Sequence, residues 1–365
     1  MLTKLEKAAA AAGAALLAIC ALSGERMEAS LRFYPKDGIL SRSWESGTFQ
    51  RTNFRPAEEV ARGKPRRAAV RPQPPSQQRQ QITDTRSKTW QKINTEDGQI
   101  NAEYGFLNFN NDSLRVSFSI AEDSLSAYSR GYGYSDAELK AIRNWYETEL
   151  HNAYQYAVKN KHSQKQLDAA SAAIEADYKG RQQNLWTERG FRLQRGNVLS
   201  ADIPAIVRRN VKNMRPVAIS LNDIADKMDY DPETLVAASL AMVQTAIEYK
   251  IPPDVTAGKH TGGILPPMEA MSRGWGDCDT KTALLASILS NWDGIRLIGV
   301  SIPRHYLMAV MRSPGKGDLF VEYKGLQYVL LEPAGPAWLP PGKVGESTLE
   351  FIKSSDGFAL EPLNF

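Results

Sequence analysis

Gly274-Trp275-Gly276-Asp277-Cys278-Asp279-Thr280-Lys281 is the stretch on which the reading of this chain turns. Two glycines let the backbone turn sharply before Asp277. Ala283, Leu284, Ala286 and Leu289 then recur at helical spacing, so Cys278 falls in the first turn of a helix. Unpaired N–H groups and the helix dipole favour an anion there, and a thiolate is the useful form of a cysteine nucleophile. The plainer reading is that Cys278 is a small buried hydrophobe.

Upstream, Asp231-Pro232-Glu233 marks a helix start with Pro at the first helical position. Leu235, Leu240, Val243, Ala246 and Ile247 give that helix an apolar face to about Tyr249, and Ile251-Pro252-Pro253 ends it. Downstream of Gly294 the pattern changes to strands over 297–302, 305–311, 318–323 and 327–331. Lys316-Gly317 and Lys324-Gly325 supply the turns between them. A helix, a Cys-bearing helix and then antiparallel strands make an α+β fold, with the Cys helix packed on the sheet.

A thiol nucleophile needs a base. The chain has four histidines, His151, His162, His260 and His305. His305 starts a strand expected to pack on the Cys helix, and a rigid strand holds a base in reach better than the loop around His260. Glu332, at the end of the last strand, is the expected third member that orients the imidazole, with Glu322 and Asp318 as weaker candidates. No C-x-x-C or H-E-x-x-H occurs, so neither a metal nor a cofactor is expected.

These residues, in this order, resemble the transglutaminase-like superfamily, and within it the bacterial cysteine peptidases with a papain-like fold. The resemblance lies in Gly276-Asp277-Cys278-Asp279-Thr280-Lys281, then His305, then Glu332-Pro333, with Met242-Val243-Gln244 and Tyr249 upstream. It spans roughly residues 230 to 340. It implies a Cys278–His305–Glu332 triad, with Gln244 as a donor to the oxyanion. Two positions depart from the pattern: Glu332 stands where the family has Asp, and Thr280 where a second acidic residue is common.

The rest of the chain frames this unit. Lys4 and Lys7 precede fifteen apolar or small residues, Ala8 to Leu22, a length suited to a secretory signal cleaved after Ser23. The alternative is an uncleaved anchor. After cleavage Cys278 is the one thiol left. Residues 24–88 are rich in Pro, Gln and Arg without an apolar period, and are expected to be a disordered basic linker. Residues 51–90 hold ten Lys and Arg against three acidic residues, which suits a solvated spacer or contact with an anionic envelope surface. The net charge of +4 gives no case for nucleic acid.

Residues 89–212 are expected to form a β-hairpin, 102–109 with 114–120 around Asn110-Asn111-Asp112, followed by a helical hairpin. Its first helix is opened by a capping box, Ser135 with Glu138, and its second runs from Ser163 to Tyr178. Residues 213–365 would then be the catalytic domain. The function expected is exported acyl transfer at amide bonds of a protein or peptide, with a thiol peptidase or amidase first. Transamidating crosslinking and an inactive binding module are the alternatives.

Overall fold

The computed structural model describes residues 55–56, 88–194, 198–354 and 358–364. The signal at 1–23 and nearly all of the linker at 24–88 lie outside the described residues. Strand β1 (Arg55–Pro56) is followed by β2 (Trp90–Glu96), β3 (Gln99–Leu107) and β4 (Ser113–Ala121); the last three form an antiparallel sheet in that order. Leu114, Val116, Phe118 and Ile120 alternate strictly between buried and exposed neighbours, as a half-covered strand must. At the turn before β4, Asn108 accepts from the backbone N–H of Asn110 and of Asp112, both at 2.9 Å, and Asn111 takes a left-handed φ of 67°.

Helix α1 (Glu122–Gly131) and strand β5 (Tyr134–Ser135) lead into the expected helical hairpin, α2 (Asp136–Lys159) and α3 (Gln164–Glu188). The capping box at Ser135 and Glu138 is present on both sides. Tyr146 stacks on Tyr178, and the Arg181 guanidinium lies 3.8 Å above the Trp145 ring. Helix α3 runs ten residues past its expected end, because Tyr178, Gln182 and Trp186 continue a buried stripe at intervals of four. Strands β6 (Phe191–Gln194) and β7 (Val198–Ala201) pair as a hairpin.

The remaining helices are α4 (Ile203–Asn210), α5 (Arg215–Met228), α6 (Pro232–Thr245), α7 (Pro267–Arg273), α8 (Cys278–Leu289) and α9 (Glu346–Ser354). Interspersed are the short strands β8 (Glu248–Tyr249), β9 (Val255–Thr256), β10 (Lys259–His260) and β11 (Trp275–Gly276). The longer strands are β12 (Leu297–Ile302), β13 (His305–Met311), β14 (Leu319–Tyr323) and β15 (Leu326–Leu331), with β16 (Ala359–Pro362) near the end.

Two compact units emerge, and they divide the chain differently from the sequence expectation. The smaller comprises 132–201 and 254–262. It holds the helical hairpin, the sheet β5-β10-β9, and a core of Tyr134, Trp186, Phe191 and Leu199. The larger comprises the other described residues, so the β2–β4 sheet belongs with the Cys-bearing helix and not with the hairpin. Long-range contacts explain this. Tyr104 of β3 is fully buried and donates to the Met271 carbonyl of α7 at 2.5 Å, and the Trp338 indole donates to the Leu107 carbonyl at 3.3 Å.

The main sheet of the larger unit has the order β1-β14-β15-β13-β12-β16, antiparallel throughout. Strands β13 and β14, consecutive in sequence, are not neighbours; β15 lies between them. That insertion sets Leu331 opposite Met308, and so carries the end of β15 toward the start of β13. The chain is thus α+β, with mixed helices and antiparallel sheets.

Candidate active site

Helix α8 is buried nearly all round, although it carries Thr280, Lys281, Thr282 and Ser287. Eleven of its twelve residues are buried, all but Asp279, as expected of a helix at the centre of a unit. Its N-terminus is built by three local devices. Gly274 ends α7 in a left-handed φ of 71°, its N–H bonded to Ala270 O at 2.8 Å. Gly276 has no room for a Cβ, which would run into the Thr280 side chain. Asp277 is the N-cap and accepts from the Thr280 N–H at 3.1 Å.

The departure at Thr280 has a structural reason. Its hydroxyl accepts from the Leu265 N–H at 3.0 Å in a fully buried setting, so the preceding loop is tied to the first turn. Cys278 is buried, and its thiol donates to Asp279 Oδ1 at 3.3 Å. One turn further, Thr282 donates to the Tyr306 carbonyl at 3.1 Å. The helix carrying Cys278 is therefore pinned to the residue that follows His305.

His305 is half-buried at the head of β13, and its Nε2 lies 2.8 Å from Glu332 Oε1. The Glu332 carboxylate is buried, and its other oxygen accepts from the Thr348 hydroxyl at 2.8 Å. Glu322 and Asp318, the weaker candidates, lie in and just before β14. Asp318 accepts from Arg312 at 2.9 Å. Thr348, which holds the second Glu332 oxygen, lies in α9. Nothing in the sequence around Thr348 signals that role.

Burial pulls the His305 imidazole down, but the hydrogen bond and charge of Glu332, with the charge of Asp279, more than offset it. The ring is left above its ordinary value. Tyr249 belongs to the same neighbourhood. Its phenol is pushed up by burial first, then by Cys278, Asp279 and Glu332. Strand β8, which carries it, pairs in parallel with β11 just before Cys278. The sequence pattern continues α6 to this point, yet the helix ends at Thr245 and the chain extends to meet β11.

Gln244 departs from its expected role. It is fully buried, and its carboxamide donates to Glu332 O at 2.7 Å and to Leu339 O at 3.0 Å. It accepts from the Leu339 N–H at 2.9 Å. Both amide protons are committed to backbone, so none is left for an oxyanion. Gln244 is a brace between α6 and the chain that leaves β15.

The other histidines lie in the smaller unit. His260 contacts Asp136 at 2.9 Å and stacks on Tyr134, and His162 packs edge-on against Tyr156. In the larger unit a cleft of about 470 Å³ is lined by Trp90, Gln91, Glu248, Tyr249 and Trp338. A hollow of about 620 Å³ near Asp231 and Arg312 holds neither thiol nor imidazole. Among the described residues, no cluster of His, Cys, Asp and Glu could hold a metal ion, and no helix is long and apolar enough to cross a membrane. No family model matches the chain, and neither the curated proteins nor the solved structures contain a significant match.

Proposed function

We propose that the chain is a thiol enzyme that cleaves amide bonds of a protein or peptide through Cys278, His305 and Glu332. The observation that carries this reading is the His305–Glu332 pair at 2.8 Å, its carboxylate buried, set beside the helix whose first residue is Cys278. With Nε2 given to Glu332, Nδ1 is the ring nitrogen left to take the thiol proton. The thiolate then attacks the amide carbonyl carbon, and the C=O electrons move onto oxygen. Backbone N–H groups at the start of α8 and the Tyr249 hydroxyl are the donors suited to that oxyanion. Collapse expels the amine, protonated by the imidazolium, and leaves a thioester on Cys278. Water, deprotonated by His305, attacks the thioester, and release of the acid restores the thiol.

The arrangement of a Cys-bearing helix on an antiparallel sheet, with the base and acid at neighbouring strand ends, supports a papain-like transglutaminase core. The cleft walled by Trp90, Tyr249 and Trp338 suits an extended peptide chain. The apolar run at Ala8–Leu22 supports action outside the cytoplasm.

Thiol chemistry tests the reading without a known substrate. Iodoacetamide should alkylate Cys278 near neutral pH faster than it alkylates the unfolded chain, and His305→Ala should lower that rate about a hundredfold. Equal rates in native, unfolded and His305→Ala protein would sink the proposal.

A further inference from the structure

We propose that Lys281 is a positioning residue for the His305–Glu332 pair, acting through Gln244; this rests on the thiol-enzyme reading above. Lys281 is fully buried in α8, one turn beyond Cys278. Its Nζ donates to the Gln244 carbonyl at 3.2 Å. That carbonyl lies in the last turn of α6, where no further helical N–H is in line to take it. The Glu248 N–H, which would do so in a longer helix, bonds Gly274 O at 2.8 Å instead. Lys281 thus caps α6 from the side, at the residue whose carboxamide holds Glu332.

The chain of contacts is continuous. Lys281 Nζ bonds Gln244 O, Gln244 Nε2 bonds Glu332 O, and Glu332 Oε1 meets His305 Nε2. On the adjacent side of the same turn, Thr282 bonds Tyr306 O. One turn of α8 therefore fixes both members of the pair relative to Cys278: the His strand through Thr282, and the Glu end through Lys281 and Gln244. Gly335 closes over this brace. A Cβ there would run into Gln244 O and come within 3.2 Å of Lys281 Nζ, so the loop after Glu332 is packed directly on it.

A buried ammonium opposes folding, and a structural filler would be better served by Met or Leu. Burial draws the Lys281 ammonium down to about 7, and the Glu332 charge acts the other way. Lysine at such a site is explained by what its Nζ holds.

The test is a double-mutant cycle read by alkylation of Cys278 with iodoacetamide at pH 7.5, using the full chain. Lys281→Met keeps the length of the side chain and removes the donor. It should slow alkylation about tenfold, the usual size of loss when an outer partner of a functional group is removed. Glu332→Gln should slow it by a similar factor. The double variant should be little slower than either alone, because both act through one pair. Gln244→Met, which breaks the other half of the brace, should reproduce the loss. The low-field proton resonance of the His305–Glu332 pair should move or vanish in Lys281→Met while far-ultraviolet circular dichroism stays unchanged. Multiplying effects in the double variant, or an unchanged rate in Lys281→Met with His305→Ala still slow, overturn this inference and leave the enzyme reading standing. Loss of helical signal in both Lys281→Met and Gln244→Met assigns the brace to folding alone and also overturns it. A wild-type thiol that ignores His305→Ala overturns both.

Discussion

Helix α8 buries eleven of its twelve residues, whereas α2, twice as long, buries Leu150 and Ala157. Both are regular helices, yet they are stabilised differently. In the hairpin, local devices are plain: the Ser135–Glu138 capping box, ion pairs at i,i+4 such as Lys179–Glu175 at 2.7 Å, and the Arg181–Trp145 contact. In α8 the stabilising groups come mostly from elsewhere in the larger unit. Its buried polar side chains each reach a carbonyl or N–H: Thr280 to Leu265, Lys281 to Gln244, Thr282 to Tyr306, and Ser287 to Ala283. A helix held by its surroundings can present a side chain at a defined place; a helix held by itself keeps its shape but fixes little around it.

The sharpest way to break this contrast is to remove volume from α8. Leu284 is completely buried, and Leu284→Ala should lower the unfolding free energy by about 2–5 kcal/mol, measured by urea denaturation. A loss under about 1 kcal/mol would mean that the site collapses freely and that α8 is not the rigid centre described.

The buried cation gives the next effect, and its sign follows from linkage. Lys281 titrates at about 7 in the folded protein against an ordinary value of 10.5. Between those values the unfolded chain binds more protons, so this residue makes stability rise with pH from about 7 to about 10.5. His305 runs the other way: its raised value stabilises the fold below its ordinary pKa, and that contribution fades as pH climbs through the raised value. Subtracting the Lys281→Met curve from wild type isolates the lysine. The difference should favour wild type increasingly between pH 7 and pH 10, by a few kcal/mol in all, because each tenfold change in proton affinity is worth about 1.4 kcal/mol. A flat difference would show that Lys281 is not held away from its ordinary value.

In the hairpin a cap should matter more than surface packing. Ser135→Ala should cost about 1 kcal/mol and speed amide exchange in the first turn of α2. Val158, more than half exposed, should tolerate Ala within about 0.5 kcal/mol in thermal or urea unfolding. A larger penalty at Val158 than at Ser135 would reverse the account of how the hairpin is held.

Much of this was legible in the chain before its structure. Strands at 297–302 and 305–311 have the bounds that their apolar runs and flanking turns imply, and Lys324-Gly325 turns with both residues at positive φ, as its composition requires. The capping box and the helix start at Cys278 were equally plain, since N-cap chemistry is written within four residues. Other features were not. The pattern over 235–249 continues as a helix, while the structure ends α6 at Thr245 and pairs Glu248–Tyr249 with Trp275–Gly276. Tyr249 reaches the Cys278 neighbourhood through that pairing.

Sequence by itself placed the starts of the capped helices and the bodies of the longer strands, and singled out Cys278, His305 and Glu332 as candidates, because side-chain period, caps and turn conformations act over a few residues. Tertiary structure alone decided the partners. It placed β15 between β13 and β14, brought β16 onto β12, joined the β2–β4 sheet to the Cys-bearing unit, and turned Gln244 from an expected oxyanion donor into a brace. Strand order and buried hydrogen-bond partners depend on residues far apart in the chain. A buried carboxamide such as that of Gln244 bonds whatever backbone the fold brings within reach, and no local pattern records it.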